Sequence, residues 1–406
     1  MAVAALGLLA VGCASRPPPA LTPVAAVPEN ANVVPMLVGA TRRPAEDPAL
    51  LFSGERTLRL NHASLSVTIP PGHRAGDIAW STTSPPDPRT SFAAASAAYL
   101  DQAAFEATLR ARIRQTGRRH VLVFVHGFNT RFDEAAFRFA QIVNDSGAQV
   151  TPVLFSWASR AAISAYPYDR TSAEMGRDGL AALLARLAAE PAVSEVSILA
   201  HSMGNIVVLE ALRTLALRNG SPPAKIRQFM MAAPDVDVDL AMQSAIAMGP
   251  RRPHMTLFVS RDDRALNVSR WIWSSRDRLG SIDPSQEPYR TNLRRFGVDV
   301  IDLTDIPADD SLAHGKFAQS PQVVRLLGER LAAGQGLSTD QIGLGDVAAG
   351  ATRGALDLIG TVLTAPVTIG QDTGRDGGIA RGLESPAPQP ARAPPVAGQP
   401  SAQRMR

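Results

Sequence analysis

From His120 onward the chain alternates short, β-branched apolar runs with longer segments of helical spacing, and few architectures accept that pattern. The strand-like runs are His120–Val125, Val150–Trp157, Val196–Ala200, Phe229–Ala233, Met255–Ser260 and Val298–Leu303. Between them Asp133–Val143, Ala173–Ala189, Gly204–Leu217, Leu240–Met248 and Pro321–Leu331 carry apolar residues at helical spacing. Strands separated by helices of this length pair in parallel through crossovers, which predicts an α/β fold with a mostly parallel sheet and helices on both faces. Upstream, Val33–Val38 and Leu65–Ile69 read as strands, residues 74–94 as a Pro/Ser/Thr-rich loop, and Phe92–Ile113 as a helix.

The ends differ from this middle. Residues 1–12 are an apolar run closing on small residues, the pattern of an export signal. Leu9-Ala10-Val11-Gly12-Cys13 resembles the lipobox of bacterial lipoproteins, which implies cleavage before Cys13 and lipidation of its thiol. That resemblance implies a chain attached to a membrane by its acyl groups, facing the periplasm. With no Asp at position 14, it points to the outer membrane. Residues 13–32 are Pro/Ala-rich and read as a tether. A domain over 33–332 follows, then a weakly apolar extension over 333–371 and a Pro/Gly-rich tail over 372–406 with the composition of disorder.

Composition removes several function classes. The 41 basic and 37 acidic residues of the 406-residue chain leave a charge of +4 with no Lys/Arg-rich run, so nucleic acid is not an expected partner. Cys13 is the only cysteine, which excludes an internal disulfide and argues against a thiolate metal site. Neither a metal-binding HExxH nor a nucleotide-binding glycine motif is present, so no metal and no cofactor are expected.

The sharpest local signal is Ile198-Leu-Ala-His201-Ser202-Met203-Gly204-Asn205, between a strand-like run and a helix. This is the setting of a nucleophile elbow, where the residues two before and two after the serine must be small. Ala200 and Gly204 satisfy that. Seventy-six residues before Ser202, the run Val121–Val125 leads into His126-Gly127-Phe128-Asn129. The backbone N–H groups of Phe128 and Met203 are the expected oxyanion donors. His126 reads as a brace for its loop. An acid is offered by Asp262 or Asp263 after Thr256–Ser260, or by Asp235 one strand earlier. Among seven histidines, His314 alone follows Asp262 and Asp263. The order Ser…Asp…His is the α/β-hydrolase order of a nucleophile, an orienting acid and a base.

These motifs together resemble a bacterial α/β-hydrolase family of undefined substrate, classed with the esterases and lipases. The resemblance rests on Val34–Thr41, HGFNTRFDEAAFRFAQI, FSWAS followed by Tyr166-Pro-Tyr168-Asp169-Arg170, LAHSMGN, AAPDVD and SRDDRAL. It implies Ser202 as nucleophile, Asp263 as acid and His314 as base, with Gly127, Ala200, His201 and Gly204 supporting them. The implied activity is hydrolysis of a small-molecule or lipid ester. A lipase, thioesterase, amidase or acyltransferase, or an idle lipoprotein using the fold for binding, are the alternatives. Only 20 residues separate Asp235 from Met255, which leaves no room for a large cap domain there. Trp157, Tyr166, Tyr168, Trp271 and Trp273 are candidate pocket-lining aromatics.

Overall fold

The computed structural model describes residues 16–272, 277–308, 310 and 312–333. Cys13 and the signal segment, the extension beyond Ala333, the 372–406 tail and Trp273 lie outside the described residues, as does the side chain of Trp271. Three N-terminal strands, β1 (Asn32–Pro44), β2 (Phe52–Ile69) and β3 (Ala93–Leu100), form an antiparallel meander. Then follow α1 (Gln102–Thr116), β4 (His120–Val125), α2 (Phe132–Ser146), β5 (Thr151–Ser156), α3 (Tyr166–Ala189), β6 (Glu195–His201) and α4 (Gly204–Asn219). The chain continues through β7 (Ile226–Ala232), α5 (Val238–Met248), β8 (His254–Val259), α6 (Arg264–Ile272), α7 (Tyr289–Phe296), β9 (Val298–Asp302), α8 (Lys316–Gln319) and α9 (Pro321–Ala333). All nine strands share one sheet in the order β3-β2-β1-β5-β4-β6-β7-β8-β9, parallel from β1 to β9. This is the α/β-hydrolase fold. Only α5 lies between β7 and β8, so no cap domain is inserted there.

The continuous apolar runs have a direct cause: the central strands are buried on both faces. Along β4, Val121, Val123 and Val125 enter one core with α1, α3, α4 and α5. Leu122 and Phe124 enter the other, with α2 and α9.

Two segments depart from the sequence reading. The stretch expected to be one helix over Phe92–Ile113 is β3 followed by α1. Ala-rich Ala93–Leu100 satisfies a helical period, but it pairs with the edge of β2, for example Ala98 with Ser64. Asp101 then starts α1 by accepting the Ala104 N–H at 2.7 Å. The described part of the expected tether is laid on the domain. Ala20 and Leu21 are buried, the Leu21 N–H donates to Ala49 O and the Val24 N–H to Ala94 O. Arg16 pairs with Glu134 at 2.9 Å and donates to the backbone and side-chain oxygens of Asn129.

Candidate active site

At the carboxyl ends of parallel strands the chain must turn, and these turns gather the candidate residues. β6 ends at His201 and α4 starts at Gly204, so Ser202 occupies a two-residue turn. Its φ is +51°, a left-handed conformation that costs a non-glycine residue about 1–3 kcal/mol and persists only where neighbours impose it. They do: the Ser202 N–H donates to Ala232 O on β7, and Asn205 Nδ2 donates to the Ser202 carbonyl, each at 3.0 Å. A Cβ at Gly204 would lie 2.4 Å from His126 O, so the turn closes only around glycine. Ala200, within β6 and fully buried, pairs with Val125 and Met231.

The loop after β4 is pressed onto this turn. A Cβ on Gly127 would lie 3.0 Å from that of Ser202. Among the described residues the N–H groups of Phe128 and Met203 have no hydrogen-bond acceptor, which fits amides kept for a ligand oxygen.

His126 is buried at the start of its loop. Its ring stacks on Trp157 with centroids 5.0 Å apart, Nδ1 donates to Gly127 O at 2.9 Å, and Nε2 accepts from Ser156 Oγ or from Arg42. Burial, with the Arg42 charge beside it, pushes its pKa down to about 3, so the ring is neutral. Trp157 Nε1 donates to the His126 carbonyl at 2.8 Å, so this aromatic holds the loop from within the core. Tyr168 is likewise not at the site. It is sandwiched by the Arg56 and Arg160 guanidiniums, 3.9 and 3.8 Å from its ring. Tyr166 is at the site: its ring meets Phe128 edge to face at 4.8 Å, and its hydroxyl donates to Asp235 at 3.1 Å.

The candidate acid Asp263 follows β8, and His314 lies in the loop after β9. His314 Nδ1 and Asp263 Oδ2 are 2.6 Å apart, and Asp263 is fully buried. Its other oxygen accepts the Leu266 N–H in the first turn of α6. Burial works against a charged His314, yet the bond and charge of Asp263, with Asp235 and Asp310 nearby, hold its pKa above the ordinary 6.5. The neighbouring Asp262 faces elsewhere and accepts from the buried Lys316 ammonium through both of its oxygens, each at 2.8 Å. Asp235 is bonded to Tyr166 and Ser269. His201 supports His314 from the elbow: its ring lies 4.7 Å from that of His314, and Nε2 meets the His314 carbonyl at 3.3 Å. Among the described residues no hydrogen bond joins the Ser202 hydroxyl to His314. In unliganded sites such contacts are commonly long and tighten around substrate.

Sequence reasoning passed over several supporting residues. Asp310 accepts the N–H groups of Leu312, His314 and Gly315, fixing the loop that carries His314. Asp169, fully buried, accepts from Ser159 Oγ and from the Asn129 and Arg160 N–H groups, tying the loop after β4 to α3. Arg42, also buried, donates to the carbonyls of Ser53, Thr130 and Ser159. Asp169 stood within a motif already singled out. Arg42 immediately follows another, and only the doubled Arg after a strand-like run marked it.

An open apolar pocket between α5, α7 and β7–β9, lined by residues such as Met231, Met255 and Phe296, contains none of these groups.

None of the curated proteins matches the sequence. Among solved structures, the chain is similar to a Listeria innocua gene product at 11% identity and a TM-score of 0.34, covering 55% of this chain and 96% of that one. An esterase from Pyrococcus furiosus is 11% identical with a TM-score of 0.32, over 53% of this chain and 84% of its own. A fungal esterase from Rhizomucor miehei is 11% identical with a TM-score of 0.35, over 76% and 83%. Residues 101–330, more than half of the chain, match the family described as alpha/beta hydrolase of unknown function (DUF900), and the chain belongs to that family.

Proposed function

We propose that this α/β hydrolase is a serine hydrolase that cleaves carboxylic esters through an acyl-enzyme. The observation that carries the reading is the His314–Asp263 pair at 2.6 Å on the same sheet edge as a serine held in a left-handed turn. In the reaction, His314 Nε2 takes the Ser202 proton as Oγ attacks the ester carbonyl. The Phe128 and Met203 amides receive the developing oxyanion, supported by the positive end of α4. Collapse breaks the bond to the alcohol, which leaves with the proton from His314. Water, deprotonated by the same ring, then releases the acid and restores Ser202. Asp263 keeps Nδ1 protonated, so Nε2 is the basic nitrogen. A fluorophosphonate probe should label the full chain at Ser202, and short-chain 4-nitrophenyl esters should be hydrolysed. Absence of both would overturn the reading.

Asp310 offers a check on the loop. Losing three N–H acceptor contacts should let His314 drift, and misplacement of about 1 Å can cost 100-fold. Asp310→Ala should therefore lower ester turnover by up to about 100-fold, and Asp310→Asn, which keeps an acceptor oxygen, by less. Equal and full activity in both variants would remove Asp310 from the machinery.

We also infer an envelope location with Cys13 as the lipid-bearing residue, on the strength of the lipobox-like Leu9–Cys13. Arg16 is tied to the loop after β4, and three residues reach at most about 11 Å. A lipid on Cys13 would thus hold that loop close to the membrane surface. Labelled palmitate should mark the wild type in cells and not Cys13→Ser. A soluble, unlabelled wild type would end this part of the proposal.

A further inference from the structure

The strongest unexplained group at the site is Arg278. Segment 278–280 is stitched between the loops that follow β7 and β8. Arg278 bridges to Asp237, the Leu279 N–H donates to Val236 O, the Gly280 N–H to Pro234 O, and Gly280 O accepts the Ser260 N–H. This puts Arg278 on the sheet edge that carries Asp235, Asp263 and, one strand beyond β7, Ser202. Its side chain is only 10% exposed. A guanidinium has five N–H donors, and buried polar groups are nearly always paired. Among the described residues its guanidinium has one contact, Nε to Asp235 Oδ1 at 3.3 Å, and even that lacks hydrogen-bond geometry. Among the described residues its two terminal nitrogens have no acceptor, and unlike Nε they are not sealed from solvent.

Asp235 links this group to the reacting centre. It also accepts from Tyr166, whose ring contacts Phe128 of the oxyanion loop. β4 and β7 flank β6, so the Phe128–Tyr166–Asp235 chain joins the loops on either side of the strand that ends at Ser202. Arg278 stands at the far end of that chain. Resting on the ester-hydrolase reading, we propose that Arg278 is a specificity residue that receives an oxyanion, a carboxylate or phosphate carried by the ester substrate. Asp235 balances the charge of the empty site and holds the Nε edge. The two terminal nitrogens are left as a planar fork, which matches the oxygens of a carboxylate or phosphate.

The test compares mono-4-nitrophenyl glutarate with neutral 4-nitrophenyl butyrate on the full chain. A charge-assisted contact of this kind is worth about ten- to a hundredfold. The wild type should prefer the charged ester in kcat/KM by about that factor. Arg278→Gln should erase the preference mainly through KM, and Arg278→Lys should keep part of it. Loss of both esters in equal ratio, or no wild-type preference, overturns the proposal and leaves Arg278 as a support for Asp235. If Arg278→Gln does not fold, the wild-type ratio and Arg278→Lys still decide. If neither ester is hydrolysed, the ester-hydrolase reading fails separately. Calorimetry with glutarate, methyl phosphate and neutral glutaramide then tests the anion site alone. Saturable binding of either anion, not of glutaramide, weakened about tenfold or more in Arg278→Gln and less in Arg278→Lys, supports it. Absence of anion binding refutes it.

Discussion

Ser202→Ala should reduce ester hydrolysis by about 10⁶-fold, the scale seen when a triad nucleophile is removed from another serine hydrolase. Fluorophosphonate labelling should disappear with it. The protein should remain folded, because alanine keeps the Cβ that the turn already accommodates. The bonds that hold the turn, Ser202 N–H to Ala232 O and Asn205 to the Ser202 carbonyl, are made by backbone atoms of residue 202. A melting temperature within a few degrees of wild type, together with loss of turnover, is the expected pair of results. Turnover retained in Ser202→Ala with normal labelling elsewhere would assign the chemistry to another nucleophile.

The sheet edge that holds Ser202 was legible because its signals are local. A strand, a small–x–Ser–x–small turn and a helix follow one another within β6 and α4, and each element constrains the next. The same is true of β4 and its His126-Gly127 loop. The parallel strands were legible because burial on both faces leaves continuous apolar runs. Failure came where the deciding contact is distant in sequence. Ala93–Leu100 is a strand because β2 presents an edge to it, and alanine favours neither outcome strongly enough to announce that. Residues 13–32 read as a linker from Pro and Ala content, yet Leu21 is fully buried in the core with residues of β1 and β2. Composition reports the cost of ordering a segment, not the surface waiting to receive it.

The same division explains the supporting residues. Arg42 reaches four segments, Ser53, His126, Thr130 and Ser156–Ser159, and no spacing rule connects them. Asp310 and Arg278 act through loops whose course is set by tertiary hydrogen bonds. A lone Arg or Asp in such a loop looks like any surface charge until burial and partners are known.

The choice of acid is where spacing alone stopped, since Asp235, Asp262 and Asp263 all follow late strands. Their partners differ. Asp262 is bonded to Lys316, and Asp235 to Tyr166 and Ser269, while Asp263 meets His314 Nδ1 at 2.6 Å. Asp263→Asn should therefore lower kcat by about 10⁴-fold, as the equivalent change does in a serine protease, because the amide holds the wrong ring tautomer. Asp262→Asn should cost far less activity and chiefly weaken the Lys316 contact. The pH profile gives an independent readout. His314 must be neutral to accept the Ser202 proton, and its pKa is held above 6.5. Wild-type kcat/KM should thus fall as pH drops through a value above 6.5, where the ring becomes protonated. In Asp263→Asn the strongest support for the charged ring is gone, so the acid limb should move to lower pH even as the plateau collapses. A limb that stays in place in Asp263→Asn but shifts in Asp235→Asn would assign the orienting acid to the loop after β7.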